Sequence, residues 1–125
     1  MQLASSRQFI GLKDGGGDIT RLLRLRPRLP AGFRLLSGDD AMALAFTANG
    51  GDGCISIVSN VAPELCQTIF SNCRMERPQT ARYLQNRLAP LTAALTKESP
   101  AALKYALCLL GFMSPATRLP IVELT

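Results

Sequence analysis

At 125 residues, with 47% hydrophobic and 18% charged side chains, the chain has the length and composition of one globular domain rather than a disordered segment. Lys and Arg number 14 against 9 Asp and Glu, a net charge of +5. The excess is broken up by leucines and prolines around Arg21, Arg24, Arg26, Arg28 and Arg34, which fits a solvated face better than a nucleic-acid partner.

The chain has no histidine, and Cys54, Cys66, Cys73 and Cys108 lack CxxC spacing, so zinc, haem and Cys-His chemistry are without support. The thiols read instead as small buried hydrophobes of a reducing compartment. Residues Met1 to Arg7 lack the apolar core of a leader, and no window reaches the ~18 apolar residues of a membrane span. A soluble, cytoplasmic protein with no membrane partner is expected.

Phe9 to Leu12 form an apolar run suited to a buried strand, with Lys13 at its carboxyl end. An amine held among apolar neighbours is less readily charged, and a free amine is what attack on a ketone or aldehyde requires. Lys13 is thus a Schiff-base candidate. The plainer alternative is a solvated loop lysine. Gly15-Gly16-Gly17 invites a phosphate cradle, but neither Gly-Lys-Ser/Thr nor a dinucleotide fingerprint follows.

Asp18 is placed to cap a short helix with an apolar stripe of Ile19, Leu22 and Leu23, ended by Pro27 and Pro30. Phe33 to Leu36 read as a second strand. Ser37-Gly38-Asp39-Asp40 follows as a strand-to-helix loop whose acids cap the next helix, or less simply form a carboxylate pair. Gly50-Gly51 closes that helix, and Gly53 to Val58 read as a third strand. Strands alternating with helices at about 20 to 25 residues are the mark of right-handed βαβ units in a parallel sheet.

A helix starting near Pro63 comes next, then a long helix from Pro78 to about Leu95 with a kink expected at Pro90, then one from Pro100 to Gly111. Tyr105 on that last helix could relay protons or simply pack. The tail, Leu119 to Thr125, reads as extended and without a partner. These boundaries divide the chain into residues 1–76, three strand-helix units, and residues 77–125, a helical extension.

The order of motifs resembles the dihydrodipicolinate synthase family of pyruvate-dependent, class I aldolase-like lyases. The resemblance is carried by Gly11-Leu12-Lys13-Asp14, Gly17-Asp18-Ile19-Thr20-Arg21, Leu35-Leu36-Ser37-Gly38-Asp39-Asp40-Ala41 and Gly50-Gly51-Asp52-Gly53-Cys54-Ile55-Ser56. It continues through Asn60-Val61-Ala62-Pro63, Arg87-Leu88-Ala89-Pro90-Leu91, Lys104-Tyr105-Ala106 and Arg118-Leu119-Pro120. The Ser-Gly-Asp-Asp and Asn-Val-Ala-Pro stretches look more like the synthase branch than the sialic-acid lyase branch.

The resemblance implies the carboxyl-terminal part of a (β/α)8 TIM barrel, an α/β fold, beginning just before the sixth strand. It implies Lys13 as the imine-forming residue, with Ile55 and Gly38 bordering bound pyruvate, and no cofactor beyond that covalent imine. In the family the derived enamine attacks aspartate semialdehyde, a step of lysine biosynthesis. A complete barrel takes about 200 residues or more. The family's carboxylate-holding Gly-Thr-Thr-Gly-Glu segment and proton-relay tyrosines lie upstream of the residues present here, and its final helix after Thr125. Half the active site is therefore missing, and the alternative is a non-catalytic half-barrel remnant or interaction module. Three strands cut from such a barrel leave two open edges, so a homo-oligomer or a complementary amino-terminal half is the expected partner.

Overall fold

Strand β1, Gly11–Asp14, pairs in parallel with β2, Arg34–Ser37, which pairs in parallel with β3, Gly53–Cys54, giving the sheet order β1-β2-β3. The computed structural model describes residues 2–124. Between β1 and β2 runs helix α1, Ile19–Leu25, and between β2 and β3 helix α2, Ala43–Ala48. Helices α3, Pro63–Arg74, α4, Pro78–Lys97, and α5, Ala101–Leu109, complete the chain.

Asp18 caps α1 as its sequence predicts, accepting the Thr20 N–H at 2.8 Å and the Thr20 hydroxyl at 2.7 Å. Helical periodicity then selects Ile19, Leu22 and Leu25 for burial, whereas Leu23 faces outward. Leu22 meets Phe33, Leu35 and Phe46 in a first core between the sheet and its helices. Strand alternation points Leu35 and Ser37 into that layer. The parallel register puts Lys13 beside Leu36, and Leu36 beside Gly53, so these three share the face that carries no helices.

The second core joins α4 and α5 to α3 and the segment before it. Val58, Cys66, Ile69, Leu88, Leu95 and Ala102 form one cluster, with Leu88 and Leu95 one heptad apart on α4. Pro90 interrupts no part of that seam, because it lies on the exposed side and α4 runs through it. Proline opens α3 and α4 at their first helical positions, where no amide bond is lost. Gly111, at φ 78°, ends the turn after α5, with its N–H on the Cys108 carbonyl and the Phe112 N–H on that of Leu107.

Further details depart from the sequence expectations: the first strand runs Gly11–Asp14 rather than Phe9 to Leu12, and Phe9, Ile10 and Leu12 are exposed rather than buried. The third strand stops at Cys54 rather than Val58, because the N–H groups of Ile57 and Val58 turn to the Asp40 carboxylate. Asp40 therefore does not cap α2, whose N-cap position is Met42 with no side-chain bond. The tail is not without partners, since Leu124 packs on the second core and the Ile121 carbonyl accepts from the Thr117 hydroxyl at 2.8 Å.

At the amino-terminal end of the sheet Asp52 gathers the Leu35 N–H at 2.8 Å, Arg26 at 3.1 Å and Arg34 at 2.9 Å. Burial pushes the Asp52 carboxyl up, but that amide and the two guanidiniums outweigh it and hold the group below its ordinary value of 3.8. A carboxyl lowered on folding stabilises in its ionised form, fully above the unfolded value, and the contribution fades as pH falls through the folded one. Wild-type protein is therefore expected to lose more stability than Asp52→Asn between pH 6 and pH ~3, below the ordinary carboxylate value. Urea midpoints across that range check it, and parallel pH profiles for the two proteins would refute it.

Candidate functional site

The carboxyl ends of the three strands lie side by side, and the loops leaving them bring Lys13, Gly38 and Ile55 to one end of the sheet. The Gly38 N–H donates to the Asp14 carbonyl at 2.6 Å, and the Ile55 N–H to the Ser37 carbonyl at 2.8 Å. Gly38 leaves room for the lysine: a Cβ there would lie 2.6 Å from Lys13 Cε and 3.0 Å from Gly15 Cα. The aliphatic stem of Lys13 thus runs over the Gly38 backbone.

Lys13 is exposed, as is Ile55 at 50%. The apolar surroundings predicted for the amine are absent from this end of the chain. The cause is geometric, because three parallel strands wall off only part of a barrel and the facing side chains would come from the others. Ile10, at 80% exposure just before β1, shows the same lack of cover. Both sheet edges are open. Beside β1 an apolar groove of about 280 Å³ is lined by Phe9, Leu12, Leu25, Leu29 and Phe33. Beside β3 a more polar one of about 420 Å³ is lined by Cys54, Ser59, Cys66, Phe70 and Arg74.

Two acids next to the site hold its loops. Asp14, buried on the helix side of β1, accepts the Gly16 N–H at 2.9 Å and pairs with Arg21 at 3.3 Å, which fixes the glycine turn after the lysine. Asp40 is also buried, and its Oδ2 accepts the N–H groups of Ile57 at 2.8 Å and Val58 at 3.2 Å. Ser37 contributes a hydroxyl that bonds the Asp39 backbone on both sides. In the sequence Asp40 reads as a helix cap or as half of a carboxylate pair with Asp39, and nothing in the local pattern says that it reaches 17 residues ahead.

All four cysteines are free. Burial pushes the Cys54 thiol up to about 12, with Asp40 adding to the effect against a hydrogen bond involving Ser37. Burial and then Asp40 raise Cys66 as well. Thiols so disfavoured as thiolates are poor nucleophiles. No helix among the described residues is long and apolar enough to cross a membrane.

Comparison with known proteins agrees with this architecture. The family model described as the dihydrodipicolinate synthetase family matches residues 1–125. A 4-hydroxy-tetrahydrodipicolinate synthase of Bartonella bacilliformis is 44% identical over 119 residues, covering 94% of this chain and 40% of its own length. That of Zymomonas mobilis is 47% identical over 117 residues, covering 92% and 40% respectively.

Among solved structures, the dihydrodipicolinate synthase of Acinetobacter baumannii complexed with pyruvate superposes with a TM-score of 0.92 at 33% identity, covering 99% of this chain and 43% of that one. The Aquifex aeolicus enzyme superposes with a TM-score of 0.93 at 27% identity, covering 98% and 42%. The chain therefore spans about two-fifths of the length of these relatives. Its three parallel strands and their helices correspond to part of their TIM barrel. The chain belongs to the dihydrodipicolinate synthetase family.

Proposed function

We propose that this chain supplies the Schiff-base part of a pyruvate-dependent lyase, with Lys13 as the nucleophile and Gly38 and Ile55 bordering the keto acid. The observation that carries the reading is the passage of the Lys13 side chain over Gly38, at the carboxyl end of parallel strands and on the face without helices. In the step proposed, the free amine adds to the ketone carbon of pyruvate, a C–N bond forms, and the carbonyl oxygen leaves as water. Loss of a proton from the methyl carbon gives the enamine, which would attack aspartate semialdehyde.

On this reading residues 1–76 are the partial barrel and residues 77–125 a helical extension sharing its second core. The working site is cytoplasmic and needs no cofactor beyond the imine. Five further strand-helix units would supply the carboxylate-holding segment, the proton relay and the cover that Lys13 lacks. Copies of this chain do not satisfy that requirement, since two give six strands and three give nine, and neither closes an eight-stranded barrel.

The test is incubation with pyruvate and borohydride, the chain being mixed with an amino-terminal half built from a relative, followed by peptide mass spectrometry. One adduct is expected, on the peptide bearing Lys13, and none in Lys13→Ala. If Lys13 stays unmodified with the other half present, the proposal fails. A second reading, a non-catalytic module, is favoured by the exposure of Lys13. Turnover by the chain alone at a rate near that of a complete relative would dispose of it.

A further inference from the structure

We propose that Asp40 is a positioning residue whose buried carboxylate fixes the segment Ile55–Val58 at the Lys13 end of the sheet; the proposal rests on the reading of Lys13, Gly38 and Ile55 as a keto-acid pocket. Ile55 is held from two sides. Its own N–H is tied to the Ser37 carbonyl at 2.8 Å, the last rung of the sheet. Two and three residues later, Ile57 and Val58 donate to Asp40 Oδ2 at 2.8 and 3.2 Å. Without that acceptor the Val58 amide, which belongs to a fully buried residue, would have no partner in place of water.

The same short loop, residues 37–40, works in two directions. Gly38 makes the floor over which Lys13 passes, and Asp40 reaches into the loop that carries Ile55. Its backbone is itself anchored, the Asp40 carbonyl accepting from Gln85 of α4 at 3.4 Å and from the Ala43 N–H at 3.4 Å. An ionised acceptor makes bonds roughly twice as strong as a neutral one, so a carboxylate is better suited to this clamp than an amide or hydroxyl. Asp40 thereby completes, through the Ile57 and Val58 amides, the hold on Ile55 that the Ser37 carbonyl begins.

The test compares Asp40→Ala and Asp40→Asn with wild type, each mixed with the amino-terminal half. Amide exchange at Ile57 and Val58 is expected to speed up about tenfold or more in Asp40→Ala and by less in Asp40→Asn, which keeps one acceptor oxygen. In borohydride trapping the pyruvate concentration for half-maximal labelling of Lys13 is expected to rise about tenfold in Asp40→Ala, with the plateau rate little changed, and to recover in Asp40→Asn.

Unchanged exchange or unchanged half-saturation in Asp40→Ala overturns the proposal. If that variant does not fold, amide exchange at Ile57 and Val58 in Asp40→Asn indistinguishable from wild type overturns it equally. Absence of any adduct in wild type would instead remove the Schiff-base reading, and the exchange data would then decide the clamp alone.

Discussion

Gly38→Ala is expected to slow borohydride trapping of pyruvate on Lys13 by on the order of 100-fold, the loss that follows when a reacting group is displaced by about 1 Å. The added methyl would sit 2.6 Å from Lys13 Cε, 3.0 Å from Gly15 Cα and 3.2 Å from the Asp14 carbonyl oxygen. The lysine stem can swing away, and that is the damage: the amine leaves its place. Backbone on the other side cannot yield so easily, because the Gly38 N–H is bonded to Asp14 at 2.6 Å.

A general unfolding of the chain would also lower trapping, so the urea midpoint must be measured alongside. The expected result is a trapping loss far larger than the change in stability accounts for. Trapping at the wild-type rate would mean that the reactive amine does not pass over Gly38, and the assignment of that glycine to the pocket would go.

What the sequence disclosed depended on whether the deciding interaction was local. The Asp18 cap and the proline starts of α3 and α4 are settled within four residues, and each was legible. So was the parallel order of three strands, because alternation with helices leaves few topologies. The end of β3 was not legible, since a carboxylate far back in the chain takes the amides that would otherwise extend the ladder. Leu23 faces outward for a smaller reason: the stripe of this seven-residue helix runs through Ile19, Leu22 and Leu25 instead.

The site divides along the same line. That Lys13 and Gly38 come together follows from the parallel register, which sets Lys13 beside Leu36, two residues before Gly38. Dryness around the amine does not follow from either strand. It depends on side chains opposite, which no run of residues near Lys13 encodes, and the lysine is open to solvent for that reason. The exposed amine stands on an edge strand of a sheet that is open on both sides.

Gly51→Ala is expected to destabilise the chain by about 3 kcal/mol, the upper part of the range for forcing a methyl into a filled core. A Cβ there would lie 2.2 Å from Phe46 Cδ1, 2.6 Å from Cε1 and 2.7 Å from the Phe46 carbonyl oxygen. Rotating the ring does not solve this, since the carbonyl remains, and the Gly51 N–H is bonded to it at 2.9 Å as the closing bond of α2. Nor is the ring free to rotate: Phe46 is 4% exposed and packs with Leu22, Phe33 and Leu35 in the first core. The neighbouring Gly50 makes the internal control. It sits at φ 94° with only Arg26 Cγ within reach of a new methyl, so Gly50→Ala meets backbone strain alone, about 1 kcal/mol. Urea denaturation of the two variants should therefore rank Gly51→Ala well below Gly50→Ala, and the reverse order would show that α2 does not close against Phe46 in this way.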